Sequence, residues 1–94
     1  MARYRILYWH HIPSLIEASE GDIVHKVELS SRFQELIDRV AMRKKLIGTD
    51  AYLEGWRKSR PKTMQGDPQE VAQAIATELE ASYQEIAQND LSNI

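Results

Sequence analysis

Apolar and polar residues alternate along the first thirty positions and then switch to a helical period. Residues 3–9 read as a strand in which Tyr4, Ile6 and Tyr8 share one face and Leu7 and Trp9 the other. Apolar groups on both faces predict a strand covered on both sides, or one whose second face meets a partner. Ile12-Pro13 is expected to end it, because proline donates nothing to a ladder. Residues 14–18 and 23–29 then predict a hairpin turning through 19–22, where Gly21 can take positive φ. In its second arm Ile23, His25, Val27 and Leu29 alternate with Val24, Lys26 and Glu28, the pattern of a half-buried strand.

From Ser31 the period is about 3.6. Phe33, Leu36, Ile37, Val40 and Ala41 form a core-facing stripe, Ser31 and Gln34 have capping-box spacing, and Gly48 suits the stop. Thr49 or Asp50 can cap a shorter helix carrying Tyr52, Leu53 and Trp56. Residues 57–62 read as a basic loop with room for a short edge strand. Asp67-Pro68-Gln69-Glu70 opens the last helix with a cap, a proline at the first position and a glutamate at the third. Val71, Ile75, Leu79, Tyr83 and Ile86 make its stripe. Strands first and helices after predict one α+β domain over 1–88, with 89–94 as a frayed tail. Its expected form is a small antiparallel sheet of about three strands packed against two to three helices.

Composition narrows the class. Ninety-four residues support a single modest core, and 43% hydrophobic with 28% charged residues fits a globular chain. The absence of cysteine removes disulfides, thiolate zinc sites and cysteine nucleophiles, and points to a reducing, cytoplasmic setting. The longest apolar runs, such as Ile6-Leu7-Tyr8-Trp9, are too short for a membrane span, so no membrane partner is expected. The net charge of −2 hides an asymmetry: 39–62 holds eight basic and two acidic residues, whereas 63–94 holds six acidic and none basic. Mutual neutralisation is the first explanation and a basic patch for a partner the second.

Little in the sequence carries chemistry. His10-His11 is the most suggestive pair, yet neighbours on an extended chain point opposite ways, so no metal site is expected. Glu17/Glu20 and Glu78/Glu80 read as a turn and a solvated helix face. Ser30-Ser31 reads as capping, and the scattered glycines form no phosphate loop. Neither an enzyme nor a cofactor is expected. Tyr8, Trp9, Tyr52, Trp56 and Arg57 are residue types enriched at interface hot spots, although a core this small also needs its tryptophans. Whether Trp9 and Trp56 are core or interface is left open.

The blocks Tyr4-Arg5-Ile6-Leu7-Tyr8-Trp9, Ile12-Pro13, Arg32-Phe33-Gln34-Glu35, Ile37-Asp38, Ala41-Met42, Asp50-Ala51-Tyr52-Leu53 and Trp56 resemble, in order, the small bacterial virulence factor domain of the kind found in conserved virulence factor C. The resemblance spans about 3–83. It implies a stand-alone protein or a module joined to helical repeats, labelled for an effect on virulence gene expression rather than for a reaction, and it implies no catalytic residues. The expected function is a non-enzymatic adaptor, regulatory or assembly module with a protein partner, and homodimerisation is left open. Its expected partner-binding residues are Tyr8, Trp9, His10, His11, Trp56, Arg57 and Arg60. The alternative is weak nucleic-acid binding through Arg43, Lys44, Lys45 and the basic residues of 57–62.

Overall fold

A strand apolar on both faces must also satisfy hydrogen bonds on both edges. The computed structural model, which describes residues 1–92, shows how this is done. Strand β1 (Ala2–Trp9) pairs antiparallel with β2 (Ile12–Glu20), which pairs antiparallel with β3 (Ile23–Glu28). The second edge of β1 is shared by β4 (Trp56–Lys58), opposite Leu7 to Trp9, and β5 (Lys62–Met64), opposite Ala2 to Tyr4. Between them Ser59 completes the ladder. Its backbone N–H donates to the Ile6 carbonyl at 2.9 Å, and its hydroxyl accepts from the Ile6 N–H at 2.9 Å.

The sheet therefore has five strands rather than about three. Residues 57–62 lack an apolar alternation of their own, and the open edge of β1 draws 56–58 and 62–64 into strands. Ile12-Pro13 is likewise a beginning rather than an end. His10 and His11 make a two-residue turn, and Pro13 pairs with Tyr8 beside a bulge at Ser14, where the ladder tolerates proline. The β2–β3 turn is also tighter than expected, with Gly21 at φ 59 and Glu20 opposite Ile23.

Helix α1 (Ser31–Arg43) buries Phe33, Leu36, Ile37, Val40 and Ala41, the five residues of its stripe. The short α2 (Asp50–Glu54) is capped by Thr49 and buries none of its residues. In α3 (Pro68–Ala81) the Asp67 carboxylate accepts from the Glu70 N–H at 2.8 Å, and Val71, Ala72, Ile75 and Ala76 enter the core. The last helix is broken once. Ser82 bonds its hydroxyl and its N–H back to the Glu78 carbonyl, and the chain restarts as α4 (Tyr83–Ser92). Helical backbone thus reaches Ser92, and the last two residues of the expected tail, 93–94, lie outside the described residues.

The helices cover one sheet face, burying Ala2, Ile6, Ile16 and Ala18. The opposite face carries Arg3, Arg5, Leu7, Leu15, Glu17, Lys26 and Glu28, all exposed or half-buried. Leu7 and Leu15 lie opposite each other there, so the second face of β1 is partly open.

Glu80 fastens the helical layer. Its carboxylate accepts the Ser30 N–H at 2.6 Å, the Ser30 hydroxyl at 2.8 Å and the Arg32 guanidinium at 3.0 Å. It sits at the positive end of the α1 dipole. Ser30 rather than Ser31 occupies the cap position, and its hydroxyl serves Glu80 instead of its own helix. Arg32 continues over the Tyr83 ring at 4.3 Å, and Tyr83 meets Phe33 edge-on at 5.1 Å. The solvated face expected for Glu78/Glu80 is therefore corrected at Glu80. Burial raises the pKa of this carboxyl, but the bonds from Ser30 and Arg32 outweigh it and hold the pKa below the ordinary value. A carboxyl with a lowered folded-state pKa stabilises the fold above its unfolded pKa and loses that contribution as pH falls through its folded pKa. Denaturant unfolding should therefore show stability falling below about pH 5 in wild type and falling less steeply in Glu80→Gln. Parallel pH profiles for the two proteins would remove the clamp from the account.

Candidate partner-binding site

Two features of local backbone geometry build one end of the molecule. The first is the His10-His11 turn, which holds His10 at φ 55, a left-handed conformation uncommon outside glycine. Three contacts fix it. The His10 N–H donates to the Gly55 carbonyl at 3.0 Å, its carbonyl accepts from Arg57 at 3.3 Å, and its ring stands edge-on to Trp9 at 4.2 Å. Trp9 is fully buried, its indole N–H bonded to the Tyr52 carbonyl at 2.8 Å.

Gly55 closes this cluster. A Cβ there would lie 2.6 Å from the Trp9 indole nitrogen and 3.0 Å from the His10 ring. The indole is held by its own hydrogen bond and cannot easily retreat. Glycine is required at this position for space, not for backbone freedom.

The second feature is the end of α1. Lys45 N–H bonds to the Met42 carbonyl and Leu46 N–H to the Ala41 carbonyl, the paired bonds of a Schellman stop. The residue in the left-handed position is Lys45, at φ 57. Gly48, expected to end the helix, takes φ 79 in the following turn instead. The chemistry of that stop favours glycine, and a lysine stands there.

The predicted site residues fall into four groups. His10, His11 and Arg57 line a shallow cleft of about 570 Å³ together with Leu46, Ala51, Glu54 and Gly55. Tyr8 and Trp56 are half-buried beside it, on paired strands, with Trp56 edge-on to Tyr52 at 6.3 Å. Burial pushes the Tyr8 phenol above its ordinary pKa, while Arg57 across the ladder pulls it down and Tyr4 adds to the rise. Arg60 is exposed but belongs to the β4–β5 link, outside the residues lining the cleft. Trp9 is core, so its assignment to a partner-binding surface is corrected. A side chain with no exposed area touches no partner.

Sequence reading missed the apolar part of this end. Met42 is 68% exposed, Leu53 66% and Ile47 51%. Met42, Ile47 and Lys45 share a second groove with Asp38. A signal was present: Met42 is apolar yet lies off the α1 stripe, and Leu53 sits on a helix too short to bury it.

A sequence-family model described as "Virulence factor" matches residues 7–91, which takes in every element from the end of β1 to α4. The chain belongs to the virulence factor family. No curated protein and no solved structure matches the chain. The virulence factor match includes both grooves and the turn that joins them, and the family description names no reaction. Among the described residues no group of three or more His, Asp or Glu side chains is arranged to hold a metal, and no helix is long and apolar enough to cross a membrane.

Two substitutions test the geometry. Gly55→Ala should destabilise the fold by about 1–3 kcal/mol, because the methyl group overpacks the Trp9 indole. Lys45→Gly should stabilise it by about 1 kcal/mol, because it relieves a left-handed non-glycine residue. Both are read as shifts of the urea midpoint at constant slope.

Proposed function

We propose that this virulence factor domain is a non-enzymatic protein-binding module of adaptor, regulatory or assembly type, acting in the cytoplasm. Its binding surface is the end formed by the close of α1, the link to α2, α2 itself and the His10-His11 turn. The observation that carries the reading is Lys45. A non-glycine residue in the left-handed position costs about 1–2 kcal/mol, and this one stands between the exposed side chains of Met42 and Ile47. Strain kept where glycine would relieve it supports a use for the ammonium group. Exposed apolar side chains with Arg43, Lys44, Lys45 and Arg57 around them suit a partner segment that is apolar and acidic.

The nucleic-acid alternative has less support. Within 57–62, Lys58 lies 3.4 Å from Glu17, whose charge offsets it and interrupts the basic run. Affinity capture with tagged protein tests the proposal. Wild type should recover a specific partner, and Met42→Asp/Leu53→Asp should lose it while keeping a native circular-dichroism spectrum. Identical recovery by both proteins would sink the assignment of the surface. A nucleic-acid mobility shift that disappears at moderate salt would instead favour the alternative.

A further inference from the structure

Strand β3 forms one edge of the sheet, where the order runs β3-β2-β1-β4, and β4 and β5 form the other. An open edge presents backbone donors and acceptors to any strand that fits, and natural edges are usually blocked by proline, a bulge, brevity or charged side chains such as lysine. Here residues 23–28 contain no proline, and their pairing with β2 has no irregularity. Two apolar side chains at the edge face water, Ile23 at 65% and Val24 at 55% exposure.

The hydrogen-bond phase of this edge follows from its turn. In a two-residue hairpin the closing pair, Glu20 and Ile23, exchanges backbone bonds. Alternation then points Ile23, His25 and Val27 toward β2, and the Leu29 N–H, which reaches the Ser14 carbonyl at 3.0 Å, keeps the same phase. Val24, Lys26 and Glu28 point their N–H and C=O groups outward. An added antiparallel strand must meet these residues with outward-pointing residues of its own.

We propose that the added strand is β3 of a second copy, paired about a two-fold axis at Val27. This inference stands apart from the surface proposed above. Charge selects both the occupant and the register. Centred on Lys26, the pairing would set two lysines opposite each other. Centred on His25, it would set Asp22 opposite Glu28. Centred on Val27, each Lys26 faces Glu28 of the second copy, twice over by symmetry. On the open face of the sheet Arg5, Glu17 and Lys26 already form one cross-strand row, with Lys26 leaning to within 4.0 Å of Glu17. Glu28 of the second copy extends that row as its fourth member, so the signs alternate across the junction. The two five-stranded sheets become one continuous sheet.

Sedimentation equilibrium of the full chain, from micromolar to submillimolar concentration, tests this. Wild type should reach a dimer. Glu28→Lys should weaken it about tenfold or more by placing like charges opposite, and Lys26→Glu/Glu28→Lys should recover much of the loss. Amide exchange on wild type gives a readout that needs no variant. The Lys26 and Glu28 amides should slow as concentration rises, while those of Ile23 and Val27 stay unchanged. A chain that remains monomeric throughout, its edge left for a foreign strand, overturns the proposal. So does a dimer that Glu28→Lys leaves intact with the β3 amides exchanging at an unaltered rate.

Discussion

The fold depends on filling the second edge of β1. This strand lies inside the sheet, so alternate residues turn their N–H and C=O groups to opposite sides and both sides need partners. β2 supplies one side along most of its length. The other side is assembled from two three-residue strands, with Ser59 bridging the gap through its backbone and its hydroxyl. That requirement fixes where α2 ends, where Trp56 and Arg57 stand, and why the His10-His11 turn meets Gly55. The cleft at this end is a by-product of closing a ladder.

The helical layer is fastened at the opposite end of α1 by a charged cluster. Glu80 neutralises the helix start, Arg32 links it to the Tyr83 ring, and Tyr83 packs on Phe33. The break at Ser82 makes this arrangement accessible, because α4 can turn back toward α1. One end of α1 is therefore tied by side chains that satisfy one another. The other end is stopped by a lysine that glycine would better replace. The contrast separates a place organised for stability from one where stability is given up.

Periodicity made α1 legible residue by residue, because a stripe at helical spacing has one way to face a core. The start of α3 was equally legible, since Asp67, Pro68 and Glu70 each satisfy a local need. What escaped reading was decided by distant parts of the chain. Nothing within 56–64 announces two strands; the open edge of β1 does. Glu80 has only solvated helix around it in sequence, and its partners lie fifty positions earlier. Trp9 and Trp56 were equally open to a core or an interface role, yet one fills the core beside Tyr52 and the other stays half-buried. In the site, the two histidines and Arg57 were legible as polar candidates. The exposed apolar residues were not, because exposure is a property of the finished packing.

The Ser59 bridge also has a meaning in time. Pairing β1 with β2 and β2 with β3 closes only short loops, but joining Ile6 to Ser59 closes one that spans more than half of the chain. Such contacts bear their entropy cost before they return any stability. During synthesis the central strand is thus an edge strand until the ribosome has passed Met64. For that interval the most apolar strand of the sheet has an open side, and the order of the sequence exposes it first and covers it last.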